Sequence, residues 1–289
     1  MTRIVRSLSE VSDRYRALFV DLWGCLHDGV RAFPDAVEAL RAYKADGGVV
    51  VLLTNSPRPR AAVMDQLDAM GVPADCWDTI ATSGDSARTA MFRGVVGSKV
   101  WVIGDFPDFD FFAPVEVLDD PVQVERVPLK DAEGIVCLGP KDPLADPSEY
   151  RPQFLLAKTR GLPLLCANPD IVVDRGEVRE WCAGALAALY TEMGGESLYF
   201  GKPHPPIYDL ARRRLARIAD VEPSEILCIG DGIGTDIAGA MGEGMDSLFI
   251  TGGLAAAETG TTDAPDPDRL RSFLASANMS PSYAIAKLR

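Results

Sequence analysis

Four polar residues of this chain stand where a short apolar run ends. Asp21 closes ALFVD (residues 17–21), Thr54 follows VVVLL (49–53), Lys202 follows a run at 198–200, and Asp231 follows ILCIG (226–230). Asp236 comes five residues after Asp231, where the next helix would begin. Such runs read as buried strands of a doubly wound parallel sheet, and in these sheets ligands bind beyond the carboxyl ends of the strands. Two or three acids, a lone lysine and a hydroxyl at one sheet edge suit a phosphate and a hard divalent cation. Carboxylate oxygens hold Mg²⁺, the lysine neutralises phosphoryl oxygens, and the threonine donates a hydrogen bond. A carboxylate attacks phosphorus only when the substrate's negative charge is offset, so acid, cation and lysine are needed together.

The elements that would position these groups follow a simple grammar. A strand at 17–21 is followed by a helix over 33–45 with Pro34 near its start, a strand at 49–53, and a helix over 60–70 closed by Gly71. The same alternation returns at 198–200 (strand), 206–218 (helix), 226–230 (strand), 237–241 (helix start) and 247–251 (strand). Units this short imply a parallel sheet with right-handed crossovers. Between the halves the texture changes to more Pro and Asp, with strand-like runs at 100–103, 115–118, 135–138, 164–166 and 171–173. The expectation is a two-segment α/β core, residues 1–83 and 187–289, interrupted by an inserted α/β cap over 84–186. Residues 260–268 read as a Pro/Asp/Thr-rich loop, and the tail at 279–288 as packing back on the core.

Composition narrows the function. The chain has 289 residues, 47% hydrophobic and 25% charged, with a net charge of −13, which suits a soluble protein of about two domains. An acidic chain has no general attraction for nucleic acid or an anionic membrane, so neither is expected as a partner. The N-terminal stretch lacks an apolar signal core and no apolar run reaches the ~18 residues of a membrane span. A cytoplasmic location is expected. Six scattered cysteines form no CxxC pair and read as buried thiols.

Taken together and in order, Asp21-x-x-Gly24, Thr54-Asn55, Gly201-Lys202-Pro203 and Gly230-Asp231-x-x-x-Thr235-Asp236 resemble the four motifs of the haloacid dehalogenase superfamily. The insert between the second and third motifs resembles the large α/β cap of the NagD-like class IIA branch. So do Asn168-Pro169-Asp170, Gly184-Ala185-Leu186, Arg58 and the PPIYDLA stretch after Pro203. The resemblance implies Mg²⁺-dependent hydrolysis of a small phosphate monoester (a sugar phosphate or nucleotide-like metabolite) through an aspartyl-phosphate on Asp21. It implies Mg²⁺ held by Asp21, Asp231 and the Trp23 carbonyl. Thr54 and Asn55 would bind the phosphoryl group, Lys202 would bridge it to Asp21, and Asp236 would act from behind them on Lys202 or a metal-bound water. Arg58, Asn168 and Asp170 would contact phosphate or substrate. Closure of the cap would exclude bulky substrates, and exposed cap strands could pair with a second copy.

One position departs from the pattern. Phosphatases of the superfamily carry a second Asp two residues after the nucleophile, which protonates the leaving group and then activates water; here that position is Trp23. An indole has one N–H donor and no acceptor, and loss of such a group costs ~10²–10⁴-fold in rate. Three readings stay open: a phosphatase for good leaving groups or with His27 or Asp28 supplying the proton, transfer to an acceptor other than water, or a phospho-ligand binding protein with little turnover. Trp23 could instead be a stacking platform or pack against the cap. A C–P bond hydrolase would need a cap lysine for imine formation, and Lys99, Lys130, Lys141 and Lys158 sit in no telling motif.

Other features have plainer readings. Gly230, Gly232 and Gly234 fail the dinucleotide-binding spacing, and Asp231 would oppose a pyrophosphate. Residues 105–110 (DFPDFD) lack the Gly and bidentate Glu of a calcium loop and read as an aromatic-anchored surface loop. Arg175, Arg179 and Trp181 could reach substrate or form a solvated turn, and His204, between prolines, reads as structural.

Overall fold

The computed structural model describes residues 2–106, 109–114, 120–175 and 178–289. In chain order the strands are β1 (Arg3–Ile4), β2 (Ala17–Val20), β3 (Val49–Thr54), β4 (Thr79–Thr82), β5 (Lys99–Ile103), β6 (Glu125–Arg126), β7 (Gly134–Cys137), β8 (Leu164–Cys166), β9 (Val172–Arg175), β10 (Val178–Trp181), β11 (Ser197–Tyr199), β12 (Ile226–Gly230), β13 (Asp246–Ile250) and β14 (Tyr283–Ile285). Two compact units result: Met1–Thr54, Asp65–Ala81 and Tyr208–Arg289 in the first, Asn55–Met64 and Thr82–Ile207 in the second.

The first unit is built on a seven-stranded sheet in the order β1-β14-β13-β12-β2-β3-β4. The pairs from β1 across to β3 run parallel. β2, β12 and most of β3 are buried without interruption, because helices cover both faces and no solvent side demands polar alternation. The helix α1 (Pro34–Ala45) starts with proline, whose missing N–H costs nothing at that position, and buries Ala36, Val37, Leu40 and Tyr43 along one stripe. From β2 the chain moves outward to β3, whereas from β12 it moves the opposite way to β13. The direction of winding therefore reverses between β2 and β12, which opens a crevice at their carboxyl ends. The tail does pack back: β14 pairs with β13 (Leu248↔Tyr283) and with β1 (Arg3↔Tyr283).

The second unit carries a five-stranded parallel sheet, β11-β8-β7-β5-β6, and an antiparallel β9–β10 hairpin. Its strands alternate between two apolar faces. Ile135, Cys137, Leu164 and Cys166 pack with Phe154, Leu186 and Tyr190 on one face; Val136, Leu138, Leu165 and Ala167 pack with Ala87, Met91 and Phe92 on the other. The insert is therefore a layered α/β unit of its own.

Three expectations need correction. The strand expected in the core at 198–200 is β11, and its pairing with β8 (Leu198↔Leu165) puts it in the second sheet. The insert thus runs well past residue 186, to Ile207; a three-residue apolar run does not reveal which of two parallel sheets it will join. The strand expected at 171–173 is present as β9, paired antiparallel with β10. The loop expected over 260–268 ends in a helix, Pro267–Ala277, capped by the Asp266 side chain. The run at 115–118 lies outside the described residues.

Phe19 of β2 and Phe154 are fully buried, one in each unit. Phe19→Ala should destabilise the first unit and Phe154→Ala the second, each by about 3–5 kcal/mol. In calorimetry each variant is expected to lower one component of the unfolding endotherm while leaving the other; a common shift of one transition would contradict two separate cores.

Candidate active site

Asp21 is the first residue after β2, and its N–H continues the ladder to the Ile229 carbonyl of β12 at 2.8 Å. Asp231 is the first residue after β12. Because Val20 stands opposite Ile229, both acids leave neighbouring strands at the same sheet edge, in the crevice where the winding reverses. They are 8% and 6% exposed. The register Val20↔Leu52 puts Thr54 one residue beyond the level of Asp21 on the next strand. The Leu254 N–H donates to Asp231 Oδ2 at 3.1 Å. A side chain at either Gly24 or Gly253 would collide with that same carboxylate, so the glycines let two backbone turns close around it. Asp236 accepts from the Gly232 N–H at 3.0 Å and lies against Gly230. It braces the turn that presents Asp231.

Ligand atoms of Asp21, Asp231 and Cys25 all lie within 4.8 Å of one another. Two buried carboxylates facing one spot fit a hard divalent cation, which takes oxygen donors and completes its shell with water. Among the described residues this is the one such cluster.

Trp23 is half-buried. Its indole meets the His27 ring edge-on at 5.3 Å and lies where any side chain at Gly29 (φ +83°) would be. This is a packing role, set by a turn that needs glycine. His27 is 2% exposed, and its Nδ1 accepts the Gly29 N–H at 3.0 Å. Burial pushes its imidazole down to about 4 despite the opposing pull of Asp28. Asp28 accepts the N–H groups of Val30 and Arg31 at 2.9 Å and pairs with Arg31 at 3.3 Å, and these bonds, led by the Arg31 N–H, hold its carboxyl below the usual range. Near neutral pH, His27 is therefore an uncharged, buried ring and Asp28 an ionised turn acid. Neither offers an acidic proton near neutral pH.

The second unit gathers another set. Asn55 Nδ2 donates to Asp170 Oδ1 at 2.8 Å and to the Lys202 carbonyl at 3.2 Å, while Asn55 Oδ1 accepts the Lys202 N–H at 2.7 Å. Asn168 Oδ1 accepts the Asp170 N–H at 3.0 Å. A Cβ on Gly201 would stand 2.5 Å from Asn55 Oδ1 and 2.7 Å from Pro169 Cδ and Ser83 Oγ. The TN, NPD and GKP motifs, up to 147 residues apart, thus lock together through one asparagine. Lys202 is 2% exposed and precedes a cis proline bond. Arg58 lies over the rings of Phe106 and Phe109 (5.1 and 5.3 Å), beside a cavity of about 390 Å³ that Phe112 and Arg126 also line. Arg175 and Arg179 make ion pairs across the β9–β10 hairpin with Glu180 and Asp174. His204 stacks on Tyr199 at 4.7 Å.

The chain is similar to known proteins over nearly all its length. Residues 18–113 match the haloacid dehalogenase-like hydrolase family model and residues 199–277 a HAD-hydrolase-like model. A crystal structure of a haloacid dehalogenase-like hydrolase from Brucella suis 1330 is 37% identical, covers 99% of this chain and 100% of its own, and superposes with a TM-score of 0.85. The chain is a haloacid dehalogenase-like hydrolase. Among curated relatives of this family, the 5'-nucleotidase YutF of Bacillus subtilis is 26% identical over 88% of this chain and 93% of its own length. The acid sugar phosphatase of Staphylococcus saprophyticus is 21% identical over 84% and 89%.

Cys25 and Ser83 were not singled out from the sequence as site residues. Cys25 sits in an apolar context that gives no sign of the carboxylates beside it. Among the described residues Ser83 Oγ has no hydrogen-bond partner although it is buried, an arrangement costing ~1–3 kcal/mol that a bound ligand oxygen would relieve. No helix among the described residues is long and apolar enough to cross a membrane.

The His27 geometry has a pH signature. A buried base with a lowered folded-state pKa binds its proton more readily once unfolded, so its stabilising contribution is complete above ~6.5 and is lost as pH falls towards 4. Up to about 3 kcal/mol should disappear over that window, measured by urea unfolding without added divalent metal. His27→Asn should flatten the profile; an unchanged slope would show that other groups set it.

Proposed function

We propose that the chain is a Mg²⁺-dependent phosphatase that hydrolyses small phosphate monoesters, sugar-phosphate or nucleotide-like, through an aspartyl-phosphate on Asp21. The observation that carries the reading is the pair of buried carboxylates, Asp21 and Asp231, at the point where the sheet reverses its winding. The names of the relatives, a 5'-nucleotidase and an acid sugar phosphatase, support the substrate class. Asp21, Asp231 and the Trp23 carbonyl would hold Mg²⁺, which when bound offsets phosphoryl charge and orients the ester. An Asp21 carboxylate oxygen attacks phosphorus, and the bond to the leaving oxygen breaks. Water then attacks the phosphorus of the acyl phosphate, releasing phosphate and restoring Asp21. Thr54 and the Asn55 amide N–H bind the transferring group, with Arg58, Asn168 and Asp170 on the substrate. Lys202 neutralises phosphoryl oxygens, and Asp236 supports the arrangement from behind. Pairing of two copies through the second unit and a cytoplasmic location belong to the same proposal.

Trp23 sets the limit on this chemistry. With an indole in place of the acid, and His27 and Asp28 held as described, the leaving oxygen departs without a proton from these three residues. The enzyme is thereby biased towards esters whose leaving groups are stable as anions. A phospho-ligand binding role with little turnover is the second reading, favoured by the same Trp23 packing.

p-Nitrophenyl phosphate separates them, because its leaving group needs little protonation. Turnover should require Mg²⁺ and fall to background in Asp21→Asn, a loss on the order of 10⁴-fold or more. Trp23→Asp should raise turnover of alkyl phosphates by ~10²-fold or more. A wild type that binds phosphate esters without turning over the aryl ester, with activity appearing only in Trp23→Asp, would establish the binding role instead.

A further inference from the structure

We propose that Asp21, Cys25 and Asp231 form a mixed oxygen–sulfur centre that takes a thiophilic divalent cation of the zinc, cadmium or cobalt class in preference to Mg²⁺, with the Cys25 sulfur as a direct ligand. The inference rests on the reading of Asp21 and Asp231 as metal-facing carboxylates. It adds a residue that the four motifs do not assign and a metal preference that oxygen donors alone would not give.

The geometry follows from one tight turn. After Asp21 the chain folds back at once: the Cys25 and Leu26 N–H groups donate to the Leu22 carbonyl at 3.3 and 2.8 Å, and the Gly24 N–H donates to the His27 carbonyl at 2.9 Å. Gly24, at φ +75°, lies so close to Asp231 that a Cβ there would collide with its carboxylate. Residue 25 is thereby returned to the edge that Asp21 and Asp231 occupy, and the three donor atoms lie within 4.8 Å of one another, all three residues buried. Donors that share one such ion tetrahedrally at ~2.0–2.3 Å stand ~3.3–3.8 Å apart, so the three atoms would close by up to about 1.5 Å onto a bound cation.

The other five cysteines are buried as well. Among them, burial pushes the Cys137 thiol up to about 12 and raises Cys166 and Cys182; they behave as small apolar side chains. Cys25 alone joins the acid cluster. A sulfur donor reverses the ordering that carboxylates set, because soft thiolate selects zinc-like ions whereas Mg²⁺ requires oxygen. On binding, the S–H bond breaks, the proton leaves to solvent, and the sulfur electron pair forms the bond to the cation, so one proton is released per thiolate bound. Such occupancy also engages the Asp21 carboxylate that the proposed chemistry uses as nucleophile, and makes these cations inhibitors that Mg²⁺ displaces poorly.

The test uses the full-length, metal-free protein titrated with Co²⁺ alone. A near-ultraviolet sulfur-to-cobalt charge-transfer band should grow to saturation at stoichiometric metal and be lost in both Cys25→Ser and Cys25→Val. In competition, the preference for Cd²⁺ over Mg²⁺ should fall about tenfold or more in the same variants. Co²⁺ binding without the band, or a band that survives in both variants, would overturn the sulfur ligand while leaving the carboxylate site intact. Binding of neither Mg²⁺ nor Co²⁺ would overturn the carboxylate reading as well.

Discussion

Asp21 and Asp231 are like charges held almost out of water on neighbouring strands. At ~4 Å and an effective dielectric near 20, two such charges repel by about 4 kcal/mol, and burial adds a solvation cost for each. The sheet tolerates the pair because its position is dictated by strand order: the residue after β2 and the residue after β12 leave adjacent strands at the reversal of winding. The Leu254 amide, the close turns at Gly24 and Gly253, and the Asp236 brace beneath Gly230 then hold Asp231 in place. A bound cation turns the repulsion into a reason for tight binding, because each carboxylate gains what the other costs it.

The second unit solves a different problem, that of fixing a buried lysine. Both ends of the Asn55 side chain are engaged: Nδ2 donates to the Asp170 carboxylate and the Lys202 carbonyl, and Oδ1 accepts the Lys202 N–H. One asparagine thus sets the backbone of the GKP turn and the NPD turn together. Gly201 has no alternative, since its backbone passes against Asn55, Pro169 and Ser83. The Trp23 ring in the first unit is held by packing, over Gly29 and edge-on against His27.

Much of this was legible in the sequence because acids at the ends of apolar runs are read by topology alone. Asp21, Thr54 and Asp231 fall where their strands end, and ordered motifs gave the family. Lys202 was legible as a residue but not as part of its unit: a run as short as LYF joins whichever sheet its neighbours leave open, and β8 was the open edge. The proximity of Cys25 to the acids depends on how tightly residues 22–27 turn, and a Gly-Cys-Leu stretch does not encode that in its residue types. His27 reads as a candidate acid from spacing alone because spacing carries no solvation; its burial and its Gly29 contact are visible only in three dimensions.

The central claim is that Asp21 becomes covalently phosphorylated. The most direct test is to quench the wild-type protein with acid during turnover of an aryl phosphate, reduce with borohydride, and locate the modified residue by mass spectrometry. An acyl phosphate on Asp21 is reduced to homoserine at position 21, and the account predicts that conversion in the wild type and its absence without substrate. Sustained turnover with residue 21 recovered as unmodified aspartate, or modification at another position, would contradict it.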